Sequence, residues 1–367
     1  MKLRQKAAIA WSFAACSAML TACGGNSDNS TLSSAATGPF KPTILVSDGS
    51  VTAPNTDGNL KNGWGIAFNP TGVMWVSDNN TKKSTLYDGN GVVQSLVVTI
   101  PPAASGQAAG PTGIVFNTST DFEISANGAT SNALFLWATD AGTIAGWSPK
   151  VLPTQAVTAH DDGSGGAVYK GLAIGMNAGQ NLLYAADFHN GKIDVFDKSF
   201  NKVQLDGQFK DPSLPAGLSP FGIRVVGTTV FVTFAKLGPD GHTQTNGPGN
   251  GAVDAFDTAG HLTTRIAQGG SLNSPWGVAI APANFGTLSN DLLVGNFGDG
   301  TIDAFDPNTG SFIGAMTQTD GSTFKQPGIW GISFGNNAAN QPLNTLFFAA
   351  GPTPTTGVYG RIDVSAN

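Results

Sequence analysis

Pro275-Trp276-Gly277-Val278-Ala279-Ile280, then Leu292-Leu293-Val294, then Gly300-Thr301-Ile302-Asp303-Ala304-Phe305-Asp306: this stretch holds three short β runs parted by turn residues. Its first run is one copy of a Gly-(Ile/Leu/Val)-x-apolar unit. Other copies begin at Gly65, Gly113, Gly171, Gly222 and Gly331, so that successive glycines lie 48, 58, 51, 55 and 54 residues apart. Each copy is followed by a second β run: Met74-Trp75-Val76, Leu134 to Trp137, Leu182-Leu183-Tyr184, Val230-Phe231-Val232, Leu292-Leu293-Val294 and Leu346-Phe347-Phe348. A third run ends in aromatic-Asp at Tyr87-Asp88, Phe196-Asp197, Phe256-Asp257 and Phe305-Asp306.

A fixed repeat of this length is the mark of a repeat architecture. No segment shows helical periodicity over a helix's length, which gives about four strands per unit. One such unit cannot bury both of its faces, whereas six stacked radially can, with few open edges. The expected fold is therefore all-β, a six-bladed β-propeller over residues 43–364. The last unit, ending near Arg361-Ile362-Asp363, is one strand short, and Thr43-Ile44-Leu45-Val46 precedes the first unit with no blade of its own. That N-terminal strand is expected to close the last blade. The repeated glycines are expected where inner strands crowd around the channel, and the repeated aspartates where turns open.

The N-terminus reads as an address. Lys2, Arg4 and Lys6 precede an apolar stretch from Ala7 to Met19, the pattern of a signal peptide over residues 1–22. Leu20-Thr21-Ala22-Cys23-Gly24 resembles the lipobox of bacterial lipoproteins, which implies acylation of Cys23 and, with Gly24 following, an outer-membrane lipoprotein facing the periplasm or the cell surface. Acyl chains contribute about 0.8 kcal/mol per buried methylene. Residues 23–42 then read as the lipidated cysteine and a flexible tether.

Only Cys16 and Cys23 occur, so the mature domain has no thiol for a disulfide, metal or nucleophile. Without Lys2, Arg4 and Lys6, the 18 Lys and Arg fall to 15 against 24 acidic residues, a net charge of −9. No basic run is present, which argues against nucleic acid. The expected partners are the lipid bilayer, through Cys23, and a small molecule, glycan, peptide or envelope protein; the domain is expected to be a monomer.

The unit quoted first resembles NHL-type propeller repeats. Leu45-Val46-Ser47-Asp48-Gly49, Ala186-Asp187-Phe188-His189-Asn190-Gly191, Leu272 to Gly277 and Leu293 to Gly300 resemble more closely an uncharacterised family of exported bacterial NHL-like β-propeller proteins, some with a PEP-CTERM sorting tail. That resemblance runs over about 43 to 362 and implies a fold without an activity.

Function is expected where units depart from the repeat. The residue before the repeated glycine varies as Trp64, Thr112, Lys170, Phe221, Trp276 and Trp330. Aromatics around a channel mouth suit a ligand with apolar or ring faces; equally, they suit a plug that fills the channel. Loops after the second strand bring Asp78-Asn79, Thr139-Asp140, Asp187-Phe188-His189, Lys236 and Asn296 toward the same mouth. The oxygens of Asp78, Asp140, Asp187 and Asn296 suit Ca²⁺, which takes 6–8 such ligands. His189, Lys170 and Asp187 are the catalytic candidates, with His189 read either as a base or ligand or as an imidazole tied to a loop carbonyl. Arg224 departs from the Ala, Val or Ser of the other units and calls for a carboxylate partner or an anionic ligand. The ligand-binding candidates are thus Trp64, Lys170, Phe221, Arg224, Trp276, Trp330 and His189. Residues Lys236 to Asn250 form a long Gly/Pro-rich excursion, read as a lid or a disordered loop. No His-Glu-x-x-His, Cys-x-x-Cys or phosphate loop occurs. The expected function is a non-catalytic binding or scaffold propeller at the cell envelope. The alternative is a metal-dependent hydrolase or lyase resembling gluconolactonases or virginiamycin B lyase, whose Glu and His ligands lack clear counterparts here.

Overall fold

Blade by blade, the chain lays down each sheet from the centre outward. The computed structural model describes residues 40–365; the signal peptide, Cys23 and most of the expected tether lie outside the described residues. The innermost strands are Gly63–Ala67, Pro111–Phe116, Tyr169–Asn177, Leu218–Val226, Pro275–Ile280 and Ile329–Phe334. Each heads an antiparallel sheet, and the six sheets are the blades of a six-bladed β-propeller. Apolar faces meet between neighbours. Leu182 and Tyr184 of blade 3 pack with Ile223, Val230 and Val232 of blade 4, and Leu293 and Ile302 of blade 5 with Ile332, Leu346 and Phe348 of blade 6. Each large side chain so buried contributes about 1.5–3 kcal/mol.

The ring closes as the sequence implies. Phe40–Ser47 pairs antiparallel with Val358–Val364 and becomes the fourth strand of blade 6, with the short Asn55–Thr56 pairing parallel outside it. It begins at Phe40, three residues before the expected domain start, because Phe40 belongs to the core: it is buried and packs on Phe285 at 4.7 Å between ring centroids.

The repeated glycines touch the next blade. A Cβ at Gly65, Gly113, Gly171, Gly222, Gly277 or Gly331 would come closer than 3.0 Å to backbone of the following inner strand, and Gly331 meets Trp64 of blade 1. Crowding around the axis therefore dictates glycine once per blade. The repeated aspartates open turns: Asp257 accepts the N–H groups of Ala259 and His261, and Asp306 those of Asn308 and Thr309.

Two insertions depart from the plan. Residues Glu123–Ala126 and Ala129–Asn132 form a hairpin within blade 2. The excursion after Lys236 folds back on itself, with Gly238 donating to Thr243 O and Thr245 to Lys236 O, so it is an ordered loop.

Candidate functional site

Each inner strand begins at one end of the channel, and there the aromatics before the repeated glycine pack on one another. Trp64 stacks on Trp330 at 3.5 Å between centroids, and Phe297 covers Trp330 at 3.9 Å. Trp276 meets both indoles edge-on at 6.1 and 5.8 Å, while Phe221 lies 5.7 Å from Trp330. All four of the expected ligand-stacking rings, Trp64, Phe221, Trp276 and Trp330, are buried. Packed on one another and on Phe297, they form a plug across the mouth, while Trp276 also borders a cavity on the other side. Of the two readings of these residues, the packed one describes the structure.

Lys170 is the exception in this ring. Its side chain is 6% exposed, with Nζ 5.0 Å above the Trp64 ring and 5.9 Å from that of Phe188, a cation–π arrangement. Among the described residues its ammonium has no hydrogen bond or ion pair. Burial holds its pKa down to about 8, against the opposing pull of Asp140 and Asp240. Neither carboxylate is free to move onto it. Asp140 accepts Gly110 N–H at 2.8 Å and Asn79 Nδ2 at 3.1 Å. Asp240 accepts the N–H groups of Thr243 and His242, which hold it well below the usual carboxylate range.

His189 lies exposed beside this group. Its Nδ1 is 2.9 Å from Gly241 O, and a carbonyl only accepts, so Nδ1 carries the proton and Nε2 is the open nitrogen. The excursion after Lys236 supplies that carbonyl, and its His242 lies 5.7 Å from His189 between ring centroids. His242 and Asp240, not among the residues the sequence singles out, thus join Lys170 and His189 on the plugged face. The signal was present: both residues sit in the one excursion that breaks the repeat.

The expected metal ligands do not converge. Asp78, Asp187 and Asn296 each end the second strand of their own blade and are buried there. Asp187 accepts Val168 N–H at 3.2 Å and Asn190 Nδ2 at 2.8 Å; Asn296 accepts Asn273 N–H at 3.0 Å and donates to Asp303 at 2.9 Å. The Asp187 and Asn296 side chains thus fasten turns, which takes Asp187 away from the rim, while both carboxylate oxygens of Asp78 are buried without a hydrogen bond among the described residues. Only Asp140 reaches the Lys170 side. Among the described residues no three His, Cys, Asp or Glu side chains gather as a metal site would require, and this donor set does not fit Ca²⁺.

Arg224 lines the channel, apart from the mouth that bears Lys170. It lies beyond the plug, in the other half of the channel, where a cavity of about 640 Å³ is roofed by Trp276 and runs down to Pro70, Thr118, Val226 and Asn336. The inner strands carry it two residues past the repeated glycine, away from the mouth bearing Lys170.

No protein-family model matches the chain. Its sequence is 32% identical over 320 residues to the uncharacterized protein R648 of Acanthamoeba polyphaga mimivirus, across 85% of this chain and 76% of that protein. In fold it is similar to a glucose dehydrogenase, with a TM-score of 0.52 and 11% identity over 89% of this chain and 100% of that one. A virginiamycin B lyase from Staphylococcus aureus gives a TM-score of 0.48 at 15% identity, over 82% of this chain and 80% of that one. At such identities the likeness is one of propeller fold alone. The expected propeller kinship holds; its bacterial, exported character and the sorting tail find no support in the viral relative.

Proposed function

We propose that this chain, which belongs to the same family as the mimivirus protein, is a non-catalytic binding propeller, exported and lipid-anchored through Cys23, that holds an anionic group of a polar ligand at Lys170. The observation that supports it is the buried Lys170 ammonium, set over Trp64 without a counter-ion among the described residues. A buried cation without its counterion is costly, and a ligand carboxylate would relieve that cost. The neighbouring acids are committed to their own loops, so the charge stays available. His189 Nε2 and His242 provide hydrogen-bonding groups on the rim beside it. The hydrolase or lyase alternative needs converging ligands, and Asp78, Asp187 and Asn296 are held in separate blades.

The test is an array of acidic oligosaccharides and Asp/Glu-rich peptides probed with purified protein, alongside metal analysis. At pH 7 at least one acidic probe should bind, about tenfold or more weaker in Lys170→Met, since a charged hydrogen bond contributes about 1.5–3 kcal/mol. Binding should also fade as pH rises past about 8, where Lys170 loses its proton. Equal binding by Lys170→Met, or no acidic probe bound at all, defeats the proposal. A stoichiometric divalent ion accompanied by probe turnover would establish the enzyme reading instead.

A further inference from the structure

The half of the channel beyond the plug is walled mainly by apolar side chains, with Thr118, Ser333 and Asn336 as polar members and one charged exception. Ile66, Phe68, Ile114, Leu172, Val278 and Ile332 are typical of its lining, and among the described residues Arg224 is the only ionisable side chain that lines it. At the same register the other blades place Ala67, Val115, Ala173, Ala279 and Ser333, so five small side chains leave room around one long cation. Arg224 is half-buried and makes no hydrogen bond or ion pair among the described residues. Desolvation alone moves its pKa, downward, and no carboxylate counters it; a guanidinium stays charged even so.

We propose that this cavity is a second binding site, distinct from the Lys170 face, for an amphiphilic monocarboxylate whose head pairs with Arg224 and whose apolar body lies along the Ile, Val and Phe walls. The volume of about 640 Å³ is within the usual range of small-molecule pockets. The guanidinium fork matches a carboxylate through two parallel hydrogen bonds. One head charge is favoured over two because polar donors are scarce here. Asn336 already gives its Nδ2 to Asn69 O and Gly72 O, and the Ser333 hydroxyl faces the carbonyl of Phe334 at 3.4 Å. A dianionic phosphate would be left with half its charge unmatched in an apolar channel.

The experiment is calorimetric titration of the purified full chain at pH 7 with decanoate, decan-1-ol, decyl phosphate and acetate, below their micelle-forming concentrations. Decanoate should bind one per chain, about tenfold or more tighter than decan-1-ol and tighter than decyl phosphate, with acetate too weak to detect. Arg224→Met should weaken decanoate by about tenfold or more and leave decan-1-ol unchanged. Arg224→Lys, which keeps the charge without the fork, should fall between. The Met variant should melt no lower than wild type, because it removes an uncompensated cation; if it fails to fold, the Lys variant carries the comparison. Lys170→Met should bind decanoate as wild type does, which separates this site from the one on the plugged face. Equal decanoate affinity in wild type and both Arg224 variants overturns the proposal, as does loss of decanoate binding in Lys170→Met. Tighter binding of decyl phosphate than of decanoate overturns the choice of a carboxylate.

Discussion

At position 78 a carboxylate sits wholly inside its blade. Burial, reinforced by the charge of Asp57, pushes the Asp78 carboxyl well above its usual range despite the opposing influence of Thr85 and Lys83. A group that holds its proton more tightly in the folded chain than in the unfolded one stabilises fully below the unfolded pKa of about 4, and its contribution declines as pH rises from there. Asp78→Asn keeps the shape and removes the charge. Its melting temperature should therefore exceed that of wild type at pH 8 and converge with it near pH 4; a lower value at pH 8 would mean that the fold needs the ionised form. Residue types alone suggested a metal ligand here. Register gives the better guide: Asp78, Asp187 and Asn296 close the second strand of three different blades, so they repeat as the turn aspartates do. Lys170 and His189 stood out in the sequence because no other blade repeats them. What the sequence could not show was the direction in which the rings before the glycines point, since a stacked plug and an open aromatic mouth use the same residues.

Among the elements, the inner strands and the closing strand were legible because both follow from pattern. Glycine once per blade marks where backbones meet, and a blade lacking its fourth strand must borrow one. Gly277→Ala places a methyl group against the backbone of Trp330 and should cost about 1–3 kcal/mol by overpacking, read as a lower denaturation midpoint. An unchanged midpoint would show that the inner strands can part at no cost. Deleting residues 40–46 should unpair Val358–Val364 and expose Phe348 and Ile362, lowering the melting temperature of the whole domain cooperatively. Deleting residues 24–37 should leave it within a few degrees. Equal melting of the two deletions would contradict closure by strand exchange. The excursion after Lys236 was legible only as a break in the repeat, because its folding back depends on turns whose partners lie within the loop itself.

At the scale of the whole molecule, the proposed anchor and the propeller make separate predictions. Cys23→Ser removes the only cysteine after residue 22, so on the lipoprotein proposal the protein should remain an uncleaved precursor or appear unacylated and soluble. Processed Cys23→Ser protein found firmly in a membrane fraction would refute the lipoprotein proposal. The domain itself carries six tryptophans among its described residues, and they fall into two nests: Trp64, Trp276 and Trp330 in the plug, and Trp75, Trp137 and Trp147 between blades 1 and 2. The first nest lies between the two candidate sites, with Trp64 beneath the Lys170 ammonium and Trp276 at the roof of the Arg224 cavity. The partition is thus also an optical device. Its emission should change as Lys170 discharges near pH 8, and separately as decanoate fills the chamber below, while the second nest glows steadily as an internal reference.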